Sequence, residues 1–525
     1  MRNRRVLFQL LDGRSLSQKK RRSHVSARVS SYSWADRIAG VVAALISPVA
    51  LVLGLVLFAG CMVGPKYSKP ETAAETSSSY VRPGSHGQDP NDTEKIDRWW
   101  EQFGDPTTAN LVVLALQNNH DLKAAAARVL QSQAALAEMR GMLWPSVSYG
   151  LSRDESGRSF TLGGGGLPGI PSGRFTIEST TWSQNISVAY ILDLFGKLRR
   201  MKRAAWADML AAEASQQTLV NSIIATVIRA RIDIATIQRR LAIARANTVS
   251  RQKTLEIVER RYKEGLVGPV DVRLARENLE AAKALEPSVE LSLATAHHAL
   301  DVLLARPPGT SHHLPETLAD LPSLEPLPIG VPASLLDRRP DVRAAELSLR
   351  AANDRIGVSV AQLYPDLTLT GSYGASGDEF SNIWSQDSAT YAAIMSLAQP
   401  VFQGGQLRAQ VKAAKARYAE LAANYSGIVL TAMREVEDAL ISEQMLDRQI
   451  RHVEIRLREA RAAEDLSKQR YQRGVEPILS VLESERRRRM AEEELAILKG
   501  QIWTTRVNLY LALGGDWNSQ EQTSD

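Results

Sequence analysis

A single cysteine, Cys61, stands in 525 residues. No intrachain disulfide can brace this chain, and no cluster of thiolates can hold zinc. The usual signatures of catalysis are missing too. There is no Gly-x-Ser-x-Gly elbow and no zincin helix. Gly163–Gly166 lacks the Gly-Lys-Ser/Thr ending of a phosphate loop and suits a flexible external loop. Of the eight histidines, the pairs His297-His298 and His312-His313 have no Cys at metal-ligand spacing, so both are expected at the surface. No enzyme is expected, and no cofactor or metal beyond a covalent lipid.

A basic body is also lacking. The formal net charge is +6, yet residues 1–37 carry ten Lys and Arg against two Asp, residues 38–60 carry no charge, and the rest is left at −2. A nucleic-acid binder needs its basic face on the folded part, so nucleic acid is not an expected partner. After the basic stretch comes Ile38–Gly60, an uncharged run rich in Val, Leu and Ala that ends Leu57-Phe58-Ala59-Gly60-Cys61. Small residues before a cleavage point suit a signal peptidase. The cysteine that follows can take a lipid on its thiol and become the new N-terminus. The segment resembles a bacterial lipoprotein signal, with Phe58 where that signal normally has Leu. Met62 in place of Asp fits sorting of such lipoproteins to the outer membrane. The run of 23 residues is also long enough to span a bilayer as a retained anchor. Residues 1–60 are thus read as a lipoprotein signal peptide. Residues 61–98, rich in Ser, Thr, Pro, Gly and Glu, are read as a lipidated tether, with order beginning at Trp99-Trp100.

The remaining sequence is duplicated. Arg261-Tyr262-Lys263-Glu264-Gly265 recurs as Arg470-Tyr471-Gln472-Arg473-Gly474 at an offset of 209, and Asp121, Lys123-Ala124-Ala125 and Trp144-Pro145 recur as Asp341, Arg343-Ala344-Ala345 and Tyr364-Pro365 at 220. The first repeat is read over 99–305, a Pro-rich linker over 306–339, the second repeat over 340–515 and a tail over 516–525. Helical spacing predicts one helix over Asn110–Met142. From Leu198 to Tyr262 there is no Pro or Gly, and steps of three and four from Val220 through Ile223, Val227, Ile234, Leu241, Leu255 and Val258 to Tyr262 trace a coiled-coil seam. The second copy offers Val429, Ala432, Val436, Ala439, Glu443, Leu446, Ile450, Val453, Leu457 and Ala460. Gly265 with Pro269, and Gly474 with Pro477, stop each helix and turn the chain into returning helices over Val270–Leu304 and Ile478–Leu513.

Between these helices the period becomes two. Val147, Tyr149 and Leu151 alternate with serines and glycine, and Ile186, Val188, Tyr190, Leu192 and Leu194 with Ser187, Ala189 and Asp193. The second copy alternates at Leu367 and Leu369 and again over Tyr391–Val401. Thirteen of the chain's thirty aromatics gather around these strands, as in barrels with aromatic girdles. Four strands cannot close a barrel, for which about eight is the practical minimum. Open edges are not tolerated in lipid, so strands in a membrane require several chains. The fold class expected is mainly α with membrane β: long helical hairpins forming a coiled-coil tunnel, plus four strands per chain.

Trp99-Trp100, Phe103, Asp105-Pro106 and Asn119-His120-Asp121-Leu122 resemble the opening of outer-membrane efflux proteins of the TolC family. Leu335–Glu346, Cys61-Met62-Val63-Gly64-Pro65 and Tyr262-Lys263-Glu264-Gly265 are similar to its NodT-like lipoprotein branch, which serves RND-type efflux systems. The resemblance covers about residues 61–515 and implies a homotrimer with a twelve-stranded barrel in the outer membrane and a helical tunnel in the periplasm. It also implies a periplasmic adaptor and an inner-membrane RND-type pump as partners. The channel would be passive. The turns at Gly265, Leu266, Gly474 and Val475 would meet the adaptor. Asp271 falls where the family has a linking Asp, Tyr471 where it has the partner Tyr, Ser480 where TolC has an acidic residue, and Glu483 where it has another. A ring of three Glu483 carboxylates would attract cations. The run Arg486–Arg489 is expected to pair with nearby glutamates on a solvated face. The alternative is a non-transporting, membrane-tethered coiled-coil spacer. Replacing Cys61→Ser is predicted to abolish acyl labelling and leave uncleaved precursor; normal processing of that variant would contradict the lipoprotein reading.

Overall fold

The computed structural model of the protein describes residues 62–77, 79–81, 86, 98–162, 173–310, 314, 327 and 329–515, all within one compact unit. The segment expected to be a signal peptide, Cys61, the His312-His313 pair and the tail lie outside the described residues. Helix α1 (Ala73–Thr76) is followed by a 3-10 turn at Trp99–Phe103. The first repeat then runs α2 (Pro106–Asn118), α3 (His120–Gly141), β1 (Ser146–Leu162), β2 (Gly173–Leu192), α4 (Lys197–Lys263) and α5 (Pro269–Leu303). The second runs α6 (Leu335–Arg338), α7 (Pro340–Ala361), β3 (Asp366–Gly377), β4 (Ala389–Ala398), α8 (Gln406–Gln472) and α9 (Ile478–Ala512). Among the described residues no helix is long and apolar enough to cross a bilayer.

Helices α4 and α8 have 67 residues each, about 100 Å at 1.5 Å per residue. The expected seam is buried on α4 at Ile223, Val227, Ile234, Leu241, Ala244, Leu255 and Val258, and on α8 at Val429, Ala432, Val436, Ala439, Val453 and Leu457. Burial on α4 is broader than one seam, taking in Ile224, Ile228, Ile232, Ala235 and Ile243. The reason is position: α2, α3, α5, α7 and α9 all pack on α4, whereas α8 has mainly α7 and α9. Trp99 stacks on Tyr510 at 5.1 Å and Phe103 on Trp503 at 5.0 Å, fastening the start of the first repeat to α9. His297 corrects the surface expectation for its pair. It is 5% exposed, because it lies on the α5 face that carries Leu293 and Leu300 one turn to either side.

The helix expected over Asn110–Met142 is two helices, broken at Asn119. Its side chain caps α3 by accepting from the N–H groups of Asp121 and Leu122 at 2.8 and 3.2 Å, satisfying donors that a helix start leaves unpaired. Its Nδ2 donates to the carbonyl of Leu303 at 3.0 Å. The second repeat does the same with different chemistry. Arg339, between α6 and α7, donates through Nη1 to the carbonyl of Ala512 at 2.9 Å. Asn119 and Arg339 stand 220 apart and Leu303 and Ala512 stand 209 apart, the two repeat offsets. Each repeat therefore docks its helix break on the carbonyl end of its own returning helix.

The strands form one antiparallel sheet in the order β1-β2-β3-β4. Directly paired residues share a face. Tyr149, Ile186, Tyr373 and Tyr391 form one rung across all four strands. The same face carries Val147, Leu151, Val188, Tyr190, Leu367, Leu369, Met395 and Leu397. The other carries Ser146, Ser148, Ser152, Ser183, Ser187, Thr368, Thr370 and Ser372, with Ser148 and Ser187 hydroxyls bonded at 2.7 Å. One face is oil-like and the other wet. At the far end of the apolar face Trp182 meets Phe380 at 5.1 Å, and Arg153 lies 5.7 Å above the Trp182 ring. Beyond Arg153 the β1–β2 hairpin continues alone to Leu162 and Gly173. This stretch was not legible as strand, because a hairpin with both faces in water needs no alternation. At the other end β4 stops at Ala398, short of the expected Val401, because Pro400 cannot donate to a ladder. Among the described residues both sheet edges are open: every residue of β4 is exposed, and Val401 and Phe402 beyond it are 93% and 87% exposed.

Order begins earlier than Trp99. Residues 62–77 and 79–81 form a strap across both repeats. Val63 N–H donates to the Phe195 carbonyl at 3.1 Å. The Pro65 carbonyl accepts from Arg200 at 3.1 Å and from Asn353 at 3.3 Å. Tyr80 is buried, and Val81 N–H reaches Glu437 at 2.6 Å. The composition hid this because the strap is held by its backbone and a few isolated side chains. Arg200 is also paired with Asp354 at 2.8 Å, both buried. A Cβ on Gly357 would come within 2.6 Å of Arg200 Nε. Gly357→Val is therefore predicted to displace Arg200 and loosen the strap, costing about 2 kcal/mol. Thermal unfolding in detergent and proteolysis of residues 62–81 would check this; an unchanged melting temperature with an intact strap would contradict it.

Candidate functional site: the hairpin tips

The tips are built by two copies of one helix stop. Gly265 N–H bonds to the Tyr262 carbonyl at 3.0 Å and Leu266 N–H to the Arg261 carbonyl at 2.9 Å; Gly474 N–H bonds to Tyr471 at 2.9 Å and Val475 N–H to Arg470 at 3.1 Å. Both pairs are Schellman closures. Gly265 has φ +72° and Gly474 φ +80°, the left-handed region that costs only glycine nothing. The chain reverses at once through Pro269 and Pro477. Each turn then displays two aliphatic side chains at matched positions: Leu266 and Val270 are 61% and 65% exposed, Val475 and Leu479 are 63% and 64%.

The two tips meet. Leu255, Val258, Val272, Ala275 and Leu279 of the first hairpin pack with Tyr471, Ile478 and Val481 of the second. Arg261, part of the repeated motif but not singled out from sequence, donates to the Tyr471 carbonyl, and its guanidinium lies 4.7 Å above the Tyr471 ring. Burial pushes the Tyr471 phenol up, Arg261 opposes this, and the Asp271 charge adds to it. The two residues implied as a link are therefore neighbours. No hydrogen bond joins them, and the Tyr471 hydroxyl is buried without a partner. The join is made instead by Arg261 and, higher up, by Glu485. That carboxylate is fully buried on α9. It accepts from Thr254 Oγ1 at 2.7 Å and from Ser250 Oγ at 3.4 Å on α4, and pairs with Lys468 Nζ at 2.9 Å on α8. Helical spacing within α9 gave no sign of this, since its partners come from two other helices.

The acidic positions are occupied otherwise than a ring requires. Glu483 pairs with Arg486 Nε and with Arg487 Nε, both at 2.7 Å. Their hydrogen bonds, Arg486 first, push its carboxyl down to about 2. Because the pKa is depressed, these pairs persist at all higher pH and are lost only as pH falls through that value. Ser480 hydrogen-bonds Glu476, and with Arg470 it holds that carboxyl below the usual range. Of the arginine run, Arg488 bridges to Glu464 and Glu492 and Arg489 to Glu493 at 2.9 Å. Only Arg486 and Arg487 keep to a strongly exposed face.

Comparisons with known proteins agree with this architecture. The outer membrane efflux protein family matches over residues 111–306 and 331–515. The pyoverdine export outer membrane protein OpmQ of Pseudomonas putida is 32% identical over 428 residues, 81% of this chain and 89% of OpmQ. Nodulation protein T of Rhizobium leguminosarum bv. trifolii is 28% identical over 463 residues, 88% and 96% of the two chains. Among solved structures, the outer-membrane channel OprN is similar with a TM-score of 0.77 at 31% identity, over 87% of this chain and all of that one.

Two substitutions separate the contacts at the tips. Tyr471→Phe is predicted to change stability by less than about 0.5 kcal/mol, since the hydroxyl it removes is unpaired. Glu485→Ala should cost about 2 kcal/mol by leaving the buried Thr254 hydroxyl without its acceptor and Lys468 with Glu464 in place of two carboxylates. Unfolding in detergent tests both, and a strongly destabilised Tyr471→Phe would restore the Asp271 link.

Proposed function

The chain belongs to the outer membrane efflux protein family, and from that premise we propose that three copies close their sheets into one twelve-stranded barrel. The protein is the outer-membrane channel component of an efflux system. The observation that carries the trimer is the two-faced sheet with both edges open. Its apolar face needs lipid and its unpaired backbone needs another strand, while the Ser and Thr face suits a water-filled lumen. A non-transporting spacer would have no use for such a sheet. In the trimer the helical hairpins continue the barrel as a periplasmic tunnel. Cargo passes through it passively, its energy supplied by an inner-membrane RND-type pump.

The matched aliphatics Leu266, Val270, Val475 and Leu479 are the surface for a periplasmic adaptor, since exposed side chains of this kind on a rigid turn favour a protein partner. Arg261 and the Glu485 cluster hold the two hairpins of one chain together at that end. Asp271 and Tyr471 serve as neighbours in the same packing. A lipid on Cys61 adds a second membrane attachment. Its support is the strap: Met62 sits against Gly196, where a Cβ would come 2.3 Å from Met62 Cγ. Gly196 follows the end of β2 by four residues, so Met62, the first described residue after the proposed lipid site, lies beside the sheet.

In a strain dependent on this channel, Leu266→Asp with Val475→Asp is predicted to cut co-purification of the adaptor at least tenfold, about 1.4 kcal/mol or more of lost binding. Export should fall with it, while heat-resistant trimers remain. Undiminished adaptor capture would reject the docking surface, and monomers in detergent and membrane would reject the barrel.

A further inference from the structure

Glu483 led the sequence to suggest a cation-attracting mouth. The charges at the tips argue for the opposite. Residues 260–273 and 468–487 carry nine Lys and Arg against five Asp and Glu, a net of +4, whereas the rest of 61–525 is left at −6. The basic excess of the folded chain is thus concentrated at one end. The contacts between Arg261 and Tyr471 bring both tips to that same end.

Three of the five carboxylates there are committed. Glu483 is held by two arginines, Glu476 by Arg470 at 3.0 Å, and Glu485 is fully buried against Lys468. Among the described residues Glu264 and Asp271 have no ion pair, and against these two stand four exposed cations without one: Arg260, Lys263, Arg273 and Arg473. Glu483 together with Arg486 and Arg487 contributes +1 rather than −1. The sheet offers no opposing filter, because the polar face within its four-stranded part is lined chiefly by neutral Ser and Thr.

Resting on the trimeric duct reading, we infer that the tip end is a basic collar and that this channel favours anionic over cationic solutes, with cargo of the anionic class. Three chains bring +12 to one mouth. Like charges around an opening with low-dielectric walls concentrate counter-ions and raise their rate of arrival. Screening confines the effect to about 8 Å at physiological salt and about 30 Å at 0.01 M, so the collar acts on solutes at the rim. Small and multivalent anions would be enriched where the duct is loaded. Cations would be depleted at the same place.

The test is the purified full-length channel in planar bilayers under a tenfold KCl gradient. The expected reversal potential has the sign of chloride preference. Hexacyanoferrate(III) added on the tip side should block at about tenfold lower concentration than hexaamminecobalt(III) at low salt. Lys263→Glu with Arg473→Glu should move the reversal potential toward potassium and erase the difference between the blockers. Lys263→Arg with Arg473→Lys should leave both unchanged. Should the glutamate pair fail to form trimers, the Gln pair should still reduce the chloride preference. Potassium preference in the unaltered channel, or no shift in the Glu or Gln variants, overturns the collar while leaving the duct in place. A trimer that never conducts overturns the duct reading itself.

Discussion

An unpaired backbone in hydrocarbon is the constraint on which the rest of this structure depends. Each buried N–H or C=O without a partner costs several kcal/mol there, and this chain leaves two whole strand edges open. Among the described residues nothing covers them: β1 and β4 are the ends of a four-stranded order, and β4 is exposed along its full length. The remedy is more strands of the same kind. That need explains why so long a protein has so small a sheet, and why its apolar face has no core packed against it. The helices follow from the same arrangement. Gly196 and Gly405, each in the left-handed region, start α4 and α8 just after β2 and β4, so that strand pairs lead into the hairpins at equivalent places.

Duplication supplied the two halves, and the two have since diverged in chemistry while keeping geometry. Asn119 and Arg339 reach the carbonyls at the ends of α5 and α9 with an amide and a guanidinium respectively. The tip turns keep Gly265 and Gly474 and their paired aliphatics, yet the first hairpin carries Asp271 nearby while the second carries Ser480 and Glu483. The central helices are also unequal. α4 is enclosed by five neighbours and buries isoleucines on several sides; α8 is left with a long exposed flank. A flank of that kind is what a neighbouring copy would cover.

Much of this was legible in the sequence, for physical reasons. The hairpins were readable because a coiled-coil seam repeats over dozens of residues, and because Gly followed by Pro stops a helix wherever it occurs. The strands were readable only where one face meets oil and the other water. Beyond Arg153 the same strand was silent. Contacts made across distant helices left no local trace: Glu485 looked like one more surface glutamate in α9, and Arg261 like a residue kept by the repeat. His297 was misjudged because pairing with His298 drew attention away from its helical face. Glu483 shows another limit: its position implied an acidic ring by resemblance, while the arginines three and four residues later share its charge within the chain.

The strap carries a consequence for the order in which the protein can be assembled. Pro65 is held at once by Arg200 of the first repeat and by Asn353 of the second, separations of 135 and 288 residues along the chain. Contacts so distant form late, since loop closure must precede any gain from them. The N-terminal segment, made first by the ribosome, can therefore settle here only after α7 of the second repeat has met α4 of the first. Its docking is a record that the two repeats have been brought together, and a chain interrupted before α7 would leave Pro65 without Asn353.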